Sequence, residues 1–279
     1  MFDEKAFLDT LYQAIDDNRL TLPTLPEVAL KVRSAVEEEK SSAKEVADII
    51  ANDAALSARL LHVANSPLYR GRVQIDNLQM AVSRLGIRLV RSLVVSLIMQ
   101  QIFQATNDLL DKKFRQVWEE SVQIAAFSRI LAGNHEHLDK DQAMLAGLIH
   151  NIGALPVLAM AENYDELLED EKELDRVIES LSPEIGSRIL KMWDFPPSLI
   201  KVTERFLDFD YVSPEVVDYA EVVLVSRLEA IVDSEHGIPM EKWSAIPAFG
   251  KVGVETEINI IEVEGVADDV QNIEVMFLS

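Results

Sequence analysis

Cysteine is absent from the 279-residue sequence, which excludes disulfide bonds and thiolate chemistry. The ten glycines form no Gly-rich cluster, so the sequence contains no phosphate-binding loop. The longest apolar run, LVVSLIM at residues 93–99, is far shorter than the roughly 18 residues that a membrane span needs. The acidic N-terminal segment MFDEKAFLDT lacks the apolar core of a signal peptide. We therefore expect a cytoplasmic protein that does not bind membranes.

Basic residues are scarce, with 26 Lys and Arg against 48 Asp and Glu, which gives a net charge of −22. Such a field repels phosphate backbones, so we expect no nucleic acid partner. Residues 54–91 are the exception, with six arginines and one acid. Within them Arg84, Arg88 and Arg91 have the spacing of one helical face, although Gly86 interrupts it. They either bind a phosphate or an acidic partner, or form salt bridges within the chain.

Apolar residues recur with a helical period through almost the whole chain, which predicts an all-α fold. The predicted helices span residues 3–17, 28–36, 43–53, 55–65, 77–86, 87–103, 114–132, 140–151, 154–162, 170–180, 183–193, 198–206, 214–233, 239–246 and 256–277. The last of these contains INIIEVEG, for which a strand is the alternative. Residues 107–112 are interpreted as a joint between two packed helical bundles.

The predicted organisation has four parts. Residues 1–19 form an N-terminal helix, and residues 20–106 form the first helical bundle. Residues 107–235 form the second bundle, and residues 236–279 form a C-terminal helical extension. No equal-length repeat indicates a solenoid.

Several segments carry a resemblance to a known family. They are LPTLPEVALKV (22–32), residues 43–69, AVSRLGIRLVRSLVV (81–95), VWEES (117–121), GLIHNIG (147–153) and residues 183–202. In order, spacing and chemistry they resemble the HDOD family, the signal-output relatives of HD-type metal phosphohydrolases. The resemblance implies that the first bundle packs on an HD-like second bundle, and that the protein is a bacterial regulator.

The resemblance also implies where a metal site would lie. HD hydrolases hold divalent metals with a His, an adjacent His-Asp pair and a distant Asp. The matching positions here are Glu120, His150, Asn151 and Ser226, so His150 alone is unchanged. Glu120 and His150 are competent ligands, and Asn151 offers a neutral carbonyl oxygen. The alternative is a degenerate site in which His150 is a buried histidine that is hydrogen-bonded to Glu120.

We predict a non-catalytic signal transduction module with no catalytic residue and no cofactor. It would bind a protein of a signalling pathway, or a small ligand between the bundles. The alternative is a phosphohydrolase or phosphodiesterase that acts on a nucleotide, with a divalent metal held by Glu120 and His150. A third hypothesis is an interaction protein without any switch.

Overall fold

The computed structural model of the protein describes most of the chain as helices joined by short turns. The described residues are 2–16, 31–32, 42–69, 71, 74–102, 108–234 and 237–278. The helix predicted at 28–36 lies outside these residues, apart from positions 31–32.

Every regular element in these ranges is a helix, so the predicted all-α class is confirmed. The described part of the chain contains fourteen α-helices, numbered α1 to α14 in chain order. They are Glu4–Asp16, Ala43–Ile50, Ala54–Asn65, Leu78–Leu85, Ile87–Ile102, Asp108–Ala132, Lys140–Ile149, Ala154–Ala161, Asp165–Glu169, Glu171–Met192, Pro197–Arg205, Tyr219–Ala230, Pro247–Val252 and Val266–Leu278. Two short 3-10 helices are Met240–Ala245 and Ile260–Glu262.

The helices pack as two groups that share a core. Helices α2 to α5 contact one another, and α6 packs against α7, α8, α12 and α14. Helix α5 crosses to α7 and joins the groups. One continuous cluster of buried apolar side chains runs from Phe7 to Phe277. Its burial supplies the main driving force for folding and fixes α6 at the centre of the second group.

The joint predicted at residues 107–112 is wrong from Asp108 onward, because α6 already begins there. Leu110 and Phe114 are buried in the shared core, so the first turns of α6 gain apolar burial as helix. Residue 107 itself lies outside the described part of the chain.

Helix α10 runs without a break from Glu171 to Met192, although we predicted two helices separated near Pro183. Proline lacks the N–H group that an interior helical position donates, and it usually kinks or ends a helix. Here Ile178, Leu181 and Ile185 are buried on both sides of the proline. We attribute the continuity to this packing, which holds the two halves in line.

The C-terminal helix begins only at Val266, and not at residue 256 as predicted. Gly265 has φ of +87°, a left-handed conformation that an α-helix cannot include. The segment INIIEVEG forms no strand in the described structure. Its backbone is held by Glu229 instead, which accepts a hydrogen bond from the Ile260 N–H at 2.9 Å.

The N-terminus of α12 is fixed by a capping box. Asp218 accepts hydrogen bonds from the first backbone N–H groups, and Glu221 accepts one from the Asp218 N–H at 3.1 Å. Glu221 is completely buried, and the Nζ of Lys251 lies 3.4 Å from its carboxylate. The capping contacts satisfy free donors of the first turn of α12.

The segment from Lys140 to Ala161, which contains α7 and α8, is apolar and long enough to cross a membrane by composition. Within the fold, 89% of its most apolar window is buried against other helices. Its composition is therefore accounted for by its position in the core.

The segment from Gly147, near the end of α7, to Gly153, in the turn before α8, packs closely against two neighbouring backbones. A Cβ atom at Gly147 would lie 2.5 Å from the Ala125 Cα in α6. A Cβ atom at Gly153 would lie 2.1 Å from the Ser182 carbonyl oxygen and 2.7 Å from the Gly186 nitrogen, both in α10. No side chain fits at either distance, so Gly147 sets how closely α7 approaches α6, and Gly153 sets how closely the turn approaches α10.

We expect Gly153→Ala to destabilise the protein by about 3 kcal/mol or more, because the new methyl group collides with backbone that cannot move aside. Gly250→Ala is the matched control, since nothing lies within 4 Å of a Cβ there. It should be neutral or stabilise by up to about 1 kcal/mol through helix propensity. Urea unfolding of both variants measures the difference, and equal stabilities would contradict the steric argument.

Candidate functional site

His150 ends α7 and is 3% exposed. Its Nδ1 lies 2.7 Å from the Gly147 carbonyl oxygen. A carbonyl can only accept, so Nδ1 carries the proton and Nε2 keeps its lone pair. The predicted partner was Glu120, and that prediction is wrong because the backbone of the same turn supplies the acceptor. The imidazole also packs edge-to-face on Phe206, with 5.0 Å between ring centroids.

His150 is a neutral imidazole in the folded protein. Burial lowers its pKa from the ordinary 6.5 to about 3, and the hydrogen bond to Gly147 opposes this only in part. The positive charge of Arg227 lowers the pKa further. The ring therefore presents an uncharged acceptor at neutral pH.

A polar cleft of about 280 Å³ lies beside this histidine, between α6, α10, α12 and the turn after α7. It brings together Glu120, His150 and Asn151, three of the four positions that the resemblance singled out. Ser226, the fourth, is completely buried, and its hydroxyl donates to the Val222 carbonyl at 2.8 Å. The next residue, Arg227, lines the cleft instead.

The lining carries more carboxylates than cations. Its ionisable side chains, apart from the histidine, are Glu120, Glu171, Asp175, Glu179, Lys113 and Arg227. The Nζ of Lys113 lies 2.7 and 2.8 Å from the two oxygens of Asp175, and 3.9 Å from Glu171. Lys113, which lies in α6, is therefore paired with carboxylates of α10.

Arg227 interacts with the other two carboxylates of the cleft, those of Glu179 and Glu120. Its Nη2 donates to Glu179 at 3.3 Å, and its side chain is only 11% exposed. Burial lowers the pKa of the guanidinium, while the charges of Glu179 and Glu120 oppose that shift. Arginine stays charged in proteins, so the cleft that contains His150 also contains a permanent cation.

The Asn151 Oδ1 is buried and accepts no hydrogen bond from any described group. Unpaired buried acceptors are uncommon and costly. The oxygen is closed to solvent, so a ligand or water would reach it only if the surrounding side chains moved.

These groups do not fit the metal centre that the resemblance implies. Across the part of the chain that the structure describes, no three His, Asp or Glu side chains converge as metal ligands. A divalent metal needs several imidazole or anionic ligands around one point. Here the position that matches the paired Asp is a neutral amide, and a guanidinium lies within the same cleft.

The three arginines of the basic segment lie elsewhere. Arg84 is in α4, whereas Arg88 and Arg91 are in α5, and Gly86 separates the helices with φ of +81°. They do not share one continuous helical face, and none of them lines the cleft. Binding of an anion or of an acidic partner by these residues stays a prediction.

Sequence reasoning missed Lys113 and Arg227. A signal for Arg227 exists, because it is the lone basic residue in the apolar stretch VVLVSRLEA (222–230). Lys113 carries no such signal, since it follows another lysine and its burial to 7% exposure depends on the contact with α10.

Comparison with known proteins agrees with this architecture. The HDOD domain family model matches residues 22–207. A candidate metal-dependent phosphohydrolase from Shewanella amazonensis is 33% identical, with a TM-score of 0.83 over 98% of this chain and 99% of that one. An HDOD domain protein of unknown function from Geobacter sulfurreducens is 20% identical, with a TM-score of 0.71 over 99% of this chain and all of that one.

Two further relatives are more distant or longer. A candidate signal transduction protein from Marinobacter aquaeolei is 20% identical, with a TM-score of 0.70 over all of this chain and 67% of its own. An uncharacterised protein from Treponema pallidum is 27% identical over 210 residues, or 70% of this chain. That match spans only 39% of the Treponema protein.

We expect burial of neutral His150 to make stability depend on pH. The unfolded state binds a proton near pH 6.5 and the folded state only near pH 3, so stability falls as the pH drops below 6.5. Between pH 6.5 and 5 the wild type should lose about 2 kcal/mol relative to His150→Gln. Glutamine can still donate to the Gly147 carbonyl but does not titrate.

Urea unfolding at several pH values measures this difference. Glu229, whose pKa burial raises to about 7, acts in the opposite direction in the same range, but equally in both proteins. The comparison with the variant therefore isolates His150. Parallel pH profiles for the two proteins would contradict the assignment.

Proposed function

Because the chain belongs to the HDOD family, we propose that it acts as a non-catalytic regulatory module in signal transduction. One observation carries the proposal. The HD-like cleft contains a neutral amide, Asn151, and a guanidinium, Arg227, where a hydrolase would gather anionic ligands around a metal. Such a cleft lacks the charge distribution that metal chemistry needs.

The same geometry supports the binding of a small ligand. His150, whose Nε2 keeps its lone pair, and Asn151 line a cleft of about 280 Å³. Its lining comes from residues 113–234, within the second predicted bundle rather than between the bundles. A ligand that donates a hydrogen bond to the imidazole would satisfy that acceptor.

A second groove supports contact with a further element or a protein partner. It lies between α1 and α10, where the Tyr12 hydroxyl donates to Glu184 at 2.5 Å and the Arg188 guanidinium lies 4.4 Å from the centroid of the Tyr12 ring. We propose that a signal enters through α1 or through a separate protein. The setting we propose is the bacterial cytoplasm, without a nucleic acid or membrane partner, in keeping with the net charge of −22.

Metal-dependent phosphohydrolysis is the second candidate function. The observation that favours it is the similarity to the Shewanella amazonensis protein, a candidate enzyme of this class at 33% identity. It would require Glu120 and His150 to hold a divalent metal, with Asn151 as a weak third ligand. A bound metal would supply an activated water and would screen phosphate charge.

We expect purified protein dialysed against Mn²⁺, Fe²⁺, Ni²⁺ or Mg²⁺ to retain well below one metal per chain. It should not hydrolyse nucleotide phosphodiesters, because the cleft lacks a converging anionic ligand set. Elemental mass spectrometry and a nucleotide hydrolysis screen measure the two quantities. His150→Ala should only destabilise the fold, by about 1–3 kcal/mol from the unpaired Gly147 carbonyl.

The outcome that contradicts the proposal is specific. Stoichiometric metal and hydrolysis in the wild type, both lost in folded His150→Ala, would establish the phosphohydrolase instead. Circular dichroism of the variant confirms that the helices are intact, so that loss of activity is not loss of fold.

A further inference from the structure

Exposed apolar side chains are concentrated near the C-terminus. Of the nine large apolar side chains that are exposed in the described structure, five lie between residues 258 and 278. Three of them, Ile258, Ile261 and Val263, are 39% to 52% exposed and belong to residues 253–265, the linking segment between α13 and α14. Single exposed apolar residues are ordinary, whereas apolar patches with a polar rim mark places where a partner binds.

The backbone that carries these side chains is anchored to α12. The Glu229 carboxylate accepts the Ile260 N–H at 2.9 Å, and the Glu229 backbone carbonyl accepts a hydrogen bond from the Asn259 side chain at 3.1 Å. The Asn259 Oδ1 accepts the Ile261 N–H at 3.0 Å and so caps the short 3-10 helix. Asn259 and Ile260 are buried. The linking segment therefore presents its exposed side chains from an ordered backbone, which lowers the entropy that binding costs.

Acidic side chains accompany the exposed apolar residues. From Gly253 to Leu278 the sequence contains seven acids and no Lys, Arg or His. The acids are Glu255, Glu257, Glu262, Glu264, Asp268, Asp269 and Glu274. None of them forms an ion pair within the described structure, and Lys251, the basic residue nearest in the sequence, lies 3.4 Å from Glu221 instead. Their charges are therefore available to a partner.

We infer that the linking segment, together with the first turn of α14, is a docking surface for a basic amphipathic segment of a partner protein. Apolar side chains of the partner would cover Ile258, Ile261 and Val263, and its Lys or Arg side chains would meet the neighbouring carboxylates. Helices with one apolar and one basic face bind to other proteins in this way. The inference goes beyond the proposed function, because this surface lies outside the cleft and its role holds whether or not the cleft binds a metal.

The charge distribution favours such a partner over other occupants. Carboxylates without a cation among them repel anionic lipid surfaces and nucleic acids. A second copy of this chain is the other occupant to consider, because residues 54–91 carry six arginines. The net charge of −22 on each copy opposes that self-association. The linking segment also lies beyond residues 22–207, which match the family model, and sites outside a shared domain can give each member its own partner.

The test measures binding of a fluorescently labelled Leu/Lys amphipathic helical peptide to the full chain by fluorescence anisotropy. We expect the double variant Ile261→Gln/Val263→Gln to weaken binding at least about tenfold, because two apolar contacts are lost. Glu262→Gln/Glu264→Gln should weaken it roughly fivefold and reduce its dependence on salt. All four side chains are exposed, so the variants should fold, and circular dichroism checks this. A Leu/Glu peptide of the same pattern should not bind.

Matched variants outside the linking segment separate a local effect from a general one. Met80→Gln/Met192→Gln replaces two exposed apolar side chains, and Asp9→Asn/Glu166→Gln removes two exposed carboxylates. Both should leave the affinity for the Leu/Lys peptide within about twofold. If they weaken binding as much as the variants of the linking segment, the peptide responds only to the net charge of the protein, and the inference fails.

The remaining outcomes are also decisive. Slower hydrogen exchange confined to residues 253–278 on addition of the peptide would support the inference, whereas protection elsewhere, or no binding by the wild type, would overturn it. Light scattering tests the second copy as occupant. A wild-type dimer that is lost in Ile261→Gln/Val263→Gln would show that another copy covers this surface, and would also overturn the inference. None of these results bears on metal binding or hydrolysis in the cleft, so the proposed function is tested separately.

Discussion

The close crossing of backbones at Gly147 and Gly153 is the constraint on which the rest of the second bundle depends. Gly147 lies against the Ala125 backbone of α6, and Gly153 lies against the Ser182 carbonyl of α10. These two contacts fix both ends of a seven-residue stretch, GLIHNIG. His150 and Asn151 lie between these two contacts, so their backbone is held in place against the helices that form the cleft. Packing of the backbone, rather than any polar contact, therefore places the site.

Electrostatic balance is the second organising feature. Four carboxylates line the cleft, those of Glu120, Glu171, Asp175 and Glu179. Two cations partly offset their charge, Lys113 and Arg227, each paired with a carboxylate of α10. His150 contributes no charge, since its burial keeps the imidazole neutral. The cleft therefore has an excess of two negative charges, four carboxylates against two cations.

Local sequence patterns predicted most of the helices because helical periodicity and turn residues act within one element. Contacts between different elements were harder to predict from the sequence. Ser226 and Arg227 differ by one position, which on a helix is a rotation of about 100°. That rotation decides which residue faces the core and which faces the cleft, and only the packing of α12 on α6 sets it. The partner of His150 likewise depends on the geometry of its turn, which brings the Gly147 carbonyl within 2.7 Å.

The unbroken helix α10 has a mechanical consequence. It is 22 residues long, about 33 Å, and it is rigid enough to move as one body. Arg176 and Ser180 bind Glu4 of α1, whereas Asp175 and Glu179, from the same turns, line the cleft. A ligand that shifts this shared wall would alter the docking of α1. If such a ligand changes the affinity of a partner that pulls α1 away, thermodynamic linkage requires that the partner change the affinity for the ligand by the same factor.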